Sequence, residues 1–208
     1  MTDRFGFFTA MLALGAAVAY GVPQILQVMG LLPTPLDLIL IFAPSLLLAP
    51  AFVATMAAIH VQASADAKVA SLTGLAFAIL YAALVGSVYV VQLGAVIPTI
   101  LAGTPDRYAL FACCAPGAPL TMVDLLGYTL MSCATLLAAP ALRGDRLERA
   151  ARLFMVLNGA LAPFLFFQIL WPWLIWVGAL WLITFPTAMF LVMVVFARRV
   201  ARAAPANR

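Results

Sequence analysis

An ionisable side chain inside an apolar segment is costly to keep there, so Asp124 is the first place to look for chemistry in this chain. It lies about one turn inside a long apolar block. Tyr128, Ser132 and Thr135 follow it at helical spacing and form a polar stripe along one face. A carboxyl group with hydroxyls in line behind it can hold a polar ligand or exchange a proton. The same residue could instead sit at an interface near a helix N-terminus, where negative charge suits the helix dipole.

Other polar side chains recur at comparable depth: Gln24 and Gln27 in the first apolar block, Asp37 opening the second, Tyr89 and Gln92 in the third, and Gln168 in the fifth. With Asp124 and Tyr128 they define the expected ligand-binding set, an outward-facing polar pocket floored by Tyr81 and Asn158. Any one glutamine alone could serve as interhelical glue, worth roughly 1 kcal/mol. Leu36-Asp37-Leu38 and Val123-Asp124-Leu125 open their blocks alike, but later spacings differ, and the pair is treated as coincidence.

The remaining reactive types are sparse. His60, the single histidine, has Gln62 and Asp66 beside it and lacks the companions of a zinc site. Cys113 and Cys114 are adjacent and Cys133 stands alone; neighbouring cysteines bridge only with strain, so structural or incidental thiols are expected. There is no phosphate-binding glycine loop, GxSxG elbow, HExxH or dinucleotide fingerprint. The single lysine, Lys68, lies outside the apolar blocks, which argues against a Schiff base within a span. No catalytic residue, metal or cofactor is expected.

The elements that carry these residues follow from composition. Of 208 residues 66% are hydrophobic and 9% charged, against roughly 25% charged in soluble domains. The apolar residues come in unbroken blocks longer than the roughly 20 residues a helix needs to cross the hydrocarbon. They run over 5–29, 36–58, 69–97, 119–141, 149–170 and 173–198. Backbone groups in lipid must be satisfied internally, so each block is a helix. The expected fold class is all-α: a polytopic membrane protein, a six-transmembrane-helix bundle, with residues 1–208 as a single membrane domain. The first block also resembles a signal peptide ending at Ala17-Val18-Ala19, but its apolar run continues to Met29.

Pro44, Pro50, Pro163 and Pro186 fall inside blocks, where each removes one helical hydrogen bond and kinks the helix or lines a cavity. Small residues recur every fourth position in the third block, at Ala70, Gly74, Ala78, Ala82 and Gly86, and in the first at Ala13, Ala17 and Gly21. Such ridges allow close helix approach, and blocks one and three are expected to pair.

Lys and Arg are retained on the cytoplasmic side. With six spans, Arg4, Lys68, Arg143, Arg146, Arg149, Arg152, Arg198, Arg199, Arg202 and Arg208 share one side and Arg107 alone lies on the other. Both termini are therefore expected in the cytoplasm of a bacterial-type inner membrane, with Trp171, Trp173 and Trp176 in the outer aromatic belt. The net charge of +4 belongs to helix ends with no aromatic-interleaved groove, which excludes nucleic acid and fits anionic headgroups.

The expected partners are the lipid bilayer, a small-molecule ligand, and a second copy or another membrane subunit. The favoured function is binding or transport of a small molecule, apolar ones included, through the outward-facing polar pocket. The alternatives are an accessory subunit of a larger membrane complex, and an intramembrane lipid-modifying enzyme with Asp124 as acid/base. For the topology, alkaline phosphatase fused after Arg152 should be inactive, because it needs an oxidising exterior to form its disulfides. An active fusion would overturn the orientation.

Overall fold

The computed structural model describes residues 1–114 and 117–203; Arg208, counted above with the basic tail, lies outside the described residues. The chain is all-α, with no β-strand among the described residues and six helical stretches long and apolar enough to cross a membrane. Helix α1 (Thr2–Val28) and α2 (Leu36–Val61) are continuous. Helix α3 (Lys68–Val91) passes through a π-helical turn at Gln92–Val96 into the short α4 (Ile97–Leu101). Helix α5 (Pro119–Ala138) is the fourth span. The fifth is α6 (Arg146–Gly159) followed by α7 (Ala162–Phe167), and the sixth joins α8 (Ile175–Gly178) to α9 (Trp181–Ala203).

Pro44, Pro50 and Pro186 lie inside continuous helices, whereas Pro163 stands in the first turn of α7, just after the fifth span breaks. A proline at a first turn loses no helical hydrogen bond, so the break and the proline belong together.

The spans close into a ring in chain order. Helix α1 packs on α2, α2 on α3, α3 on α5, α5 on α6 and α7, α6 on α9, and α9 returns to α1. Aromatic side chains from five spans fill the centre: Tyr20, Phe42, Phe52, Tyr81, Tyr89, Tyr128, Trp181 and Phe185.

Small residues set how closely the ring closes, though not with the expected pairing. The main partners of α1 are α2 and α9, and its Gly21 faces Leu182 of α9. The ridge of α3 serves α5: a Cβ at Gly74 would stand 2.8 Å from the Ala134 carbonyl oxygen. Ala78 is fully buried, while Gly86 faces open space and supports no helix contact. Glycines also receive bulky neighbours elsewhere, Gly6 under the Phe196 ring and Gly127 against Val85.

One end of the ring gathers the charges. Gln62 donates to Asp3 at 2.5 Å, Arg143 pairs with Asp66, and Arg199 pairs with Glu148 at 2.7 Å. Asp145 caps α6 by accepting from the Leu147 and Glu148 amides. His60 bonds Ser71 across α2 and α3 at 2.9 Å. The N-terminus, the α2–α3 and α5–α6 connections and the end of α9 therefore share one face, as an even number of spans requires. Trp171, Trp173 and Trp176 are exposed in the hairpin that joins the last two spans.

The Ser64 hydroxyl and Arg143 hold Asp66 below the usual carboxylate range. The Glu148 and Leu147 amides, with Arg198 and Arg202 nearby, do the same for Asp145. Both groups are more acidic folded than unfolded, so their contribution is complete above the unfolded value of about 4 and is lost as pH falls through the folded values.

Two predictions follow from the packing and the charged face. In detergent, Gly74→Leu should lower stability by about 1–3 kcal/mol through overpacking, while Gly86→Leu should change it little. Equal thermal midpoints would remove the close α3–α5 contact. The wild-type midpoint should be level between about pH 7 and 5 and fall below about pH 4. Replacing Asp66 and Asp145 together by Asn should shrink that acid drop; an unchanged drop would show that these carboxylates do not contribute to it.

Candidate functional site

The structure places the predicted polar residues in three groups and leaves Gln168 apart from them. At the end of the α1–α2 hairpin, Gln24 donates to Gln27 at 3.0 Å, and Gln27 donates to Asp37 at 2.7 Å. Thr34 reaches the same Asp37 oxygen at 3.3 Å. This network ties the turn to the start of α2, and only Asp37 Oδ1 is left buried without a partner.

Nearer the charged face, Asn158 donates to Thr135 at 3.1 Å and accepts from Thr184 at 3.0 Å. One amide thereby joins α5, α6 and α9, and its capacity is used in holding spans together. Gln168 is half-buried beside Gly178 in the last hairpin.

The third group surrounds Asp124. The helical spacing read from the sequence holds: Tyr128, Ser132 and Thr135 point inward, with Ser132 and Thr135 fully buried. The Tyr89 hydroxyl of α3 faces the Asp124 carboxylate and bonds the Tyr128 hydroxyl at 2.9 Å. Tyr20 of α1 reaches Tyr128 in turn. Tyr81 packs edge-on against Tyr128 at 5.8 Å, and Trp181 does so from the other side at 5.3 Å. Trp181 also stacks on Phe185 at 4.8 Å. Four tyrosines and a tryptophan thus line up below one carboxylate.

Several polar atoms of this group are left without partners. Asp124 Oδ1, Tyr81 Oη, Ser132 Oγ and Trp181 Nε1 are buried and make no hydrogen bond among the described residues. Buried polar groups are nearly always paired, and each exception asks for a cause.

Gln92, at the start of the π-helical turn, has a different task. Its amide donates to the Phe111 carbonyl at 2.7 Å and accepts from the Cys113 N–H at 3.0 Å. Such turns often mark functional sites, and this one aims a side chain at the connection that returns to α5. The Cys114 N–H donates to the Thr121 hydroxyl at 2.8 Å. The two sulfurs are joined as a disulfide between adjacent residues, where structural or incidental thiols were expected. Cys133 is a free thiol. The Cys113 and Cys114 sulfurs and an Asp124 carboxylate oxygen lie within 4.8 Å of one another.

Sequence reasoning missed Cys113, Cys114, Tyr20 and Trp181 as members of this group. One signal was present: four of the five tyrosines, Tyr20, Tyr81, Tyr89 and Tyr128, fall inside apolar blocks.

No protein-family model, curated protein or solved structure matches the chain, so its class rests on its own residues. The six apolar helices make it a multi-pass integral membrane protein.

Proposed function

We propose that this membrane protein binds a small molecule at Asp124 and the aromatic side chains beneath it, reached from the end opposite the basic residues. The charge asymmetry supports a bacterial-type inner membrane with both termini cytoplasmic, so that the site faces outward. The observation that carries the binding proposal is the set of four unpaired buried polar atoms in one cluster. Leaving such a group unsatisfied costs about 1–3 kcal/mol, and several together are a large fraction of a domain's stability. A ligand that accepts from Tyr81, Ser132 and Trp181 and donates to Asp124 would remove that cost. The aromatic walls favour a flat, mainly apolar body carrying those polar groups.

The aromatic centre is filled, since Tyr81, Tyr89, Tyr128 and Trp181 are all buried. Binding therefore requires these rings to part, and transport is the stronger form of the same proposal because the whole ring must then open. A second reading, an accessory subunit of a membrane complex, is favoured by an open apolar groove of about 570 Å³ between α1 and α2. Gly15, Ala16 and Ala19 on one side and Ala43, Pro44 and Leu47 on the other line it.

Native mass spectrometry of the chain released from mild detergent should show an added small-molecule mass. Tyr81→Phe should lose that mass without lowering the ligand-free thermal midpoint, because it removes a hydroxyl that has no partner; Trp181→Phe should lose it at a lower midpoint, because the smaller ring leaves a cavity beside Phe185. A bare wild-type mass, or retention of the molecule by both variants, would overturn the proposal. A co-purifying partner chain in place of the small molecule would favour the subunit reading.

A further inference from the structure

We propose that Cys113 and Cys114 form a redox-active pair that exchanges with an external dithiol, with Asp124 as the proton carrier beside it. A disulfide stabilises a protein chiefly by closing a loop in the unfolded chain, and its effect grows with loop length. A bond at sequence separation 1 closes no loop of consequence. Stapling the fold is therefore a poor account of this pair, and chemistry is the better one.

The surroundings supply what exchange needs. Gln92 from α3 holds the Cys113 amide and Thr121 from α5 holds the Cys114 amide, so two spans fix a segment that is not helical. Cys114 is exposed and Cys113 is half-buried, which makes Cys114 the sulfur an incoming thiolate reaches first. Asp124 lies within 4.8 Å of both sulfurs and keeps one buried oxygen unpaired. The other titratable groups facing Asp124 are Tyr89 and Tyr81 from α3, Tyr128 on its own helix and Tyr20 from α1. No lysine, arginine or histidine is among these groups. On the orientation proposed above the pair faces the oxidising side, where disulfides persist.

The step balances as an exchange. One thiol of the partner, having lost its proton to water, attacks Cys114 Sγ; the sulfur–sulfur bond breaks and its electron pair leaves on Cys113. That thiolate takes a proton from the Asp124 carboxyl group. The partner's second thiol gives its proton to the Asp124 carboxylate and attacks the partner's own first sulfur. Cys114 leaves as a thiolate and takes a proton from water. The partner is oxidised by two electrons to its disulfide and the pair is reduced by two to Cys113 and Cys114 thiols. With an oxidised partner the same steps run in reverse.

The test uses the full chain in detergent, with Cys133→Ala as background and dithiothreitol as the dithiol. Maleimide should label neither Cys113 nor Cys114 in the oxidised protein and both after reduction, and oxidised dithiothreitol should close the pair again. Asp124→Asn should slow exchange by roughly tenfold or more and flatten its pH profile, while Asp124→Glu should restore much of the rate. Cys113→Ser should trap glutathione on Cys114 more readily than Cys114→Ser traps it on Cys113. Should the Asn variant fail to fold, Tyr89→Phe, which keeps the carboxyl group but removes the hydroxyl facing it, should still shift the pH profile.

Free thiols that oxidised dithiothreitol cannot close would overturn the pair. Wild-type exchange rates and pH profiles in Asp124→Asn, or in Tyr89→Phe where the former does not fold, would overturn the role of the carboxyl group. Wild-type protein that carries an added small-molecule mass but whose thiols oxidised dithiothreitol cannot close would overturn the redox pair alone, and a bare wild-type mass with reversible closure would overturn small-molecule binding alone, so either proposal can fail without the other.

Discussion

Lipid gives helices little reason to associate through apolar surface alone, because a leucine gains almost nothing by leaving one hydrocarbon environment for another. What holds this ring together must therefore be close approach and a small number of polar ties. Gly74 lets the α5 backbone come near α3, and Gly6 and Gly127 admit neighbouring side chains. Asn158 ties α5, α6 and α9 through two threonines. The closure of first span on last, α1 on α9, completes the ring, and the aromatic centre is what remains inside it once these contacts are made.

That constraint divides the polar residues by task. Near the charged face, hydrogen-bonding capacity is spent on assembly: Asn158 is doubly engaged, and Arg143 and Arg199 pair with Asp66 and Glu148 across the ends. At the α1–α2 turn, Gln24, Gln27 and Asp37 do similar work. Around Asp124 the accounting differs, because unpaired donors and an unpaired acceptor sit together in a part of the ring already packed with rings. Packing alone would have been served as well by phenylalanine in place of Tyr81. Hydroxyl, indole and carboxyl groups held there at a cost are more readily understood as belonging to a task than to the fold.

Much of this architecture could be read in the residues. Span number and helical state follow from solvent physics, and the inward stripe of Tyr128, Ser132 and Thr135 follows from helical period. Pairing between spans did not follow: the ridges of α1 and α3 have the same spacing, yet each meets a different helix. A small-residue ridge states how near a neighbour can come and carries no information about which neighbour it is. Gly86 continues the ridge and contacts nothing. The cysteines were illegible for another reason. Their meaning depends on a connection that folds back over the start of α5, and that path is set by Gln92, a residue whose type and depth read equally well as pocket or glue.

Asp124 is where the fold and the two proposed activities meet, and its position explains why one residue can serve both. It stands one and a half turns into α5, behind the cysteine segment and ahead of the tyrosines. The carboxyl group that would give its proton to the leaving Cys113 thiolate is then the same one that Tyr89 faces. In the proposed exchange, charge appears at Asp124 only while the mixed disulfide stands, and it falls beside Tyr89 with no cation among the groups that face it. Tyr89 is itself bonded to Tyr128. On the proposed exchange, a change at the cysteines would reach the aromatic cluster through the Tyr89 and Tyr128 hydroxyl groups. The connection before α5 needs no bulk of its own for this: held at Phe111 and Cys113 by one glutamine, it places two sulfur atoms against the only carboxylate in the fourth span.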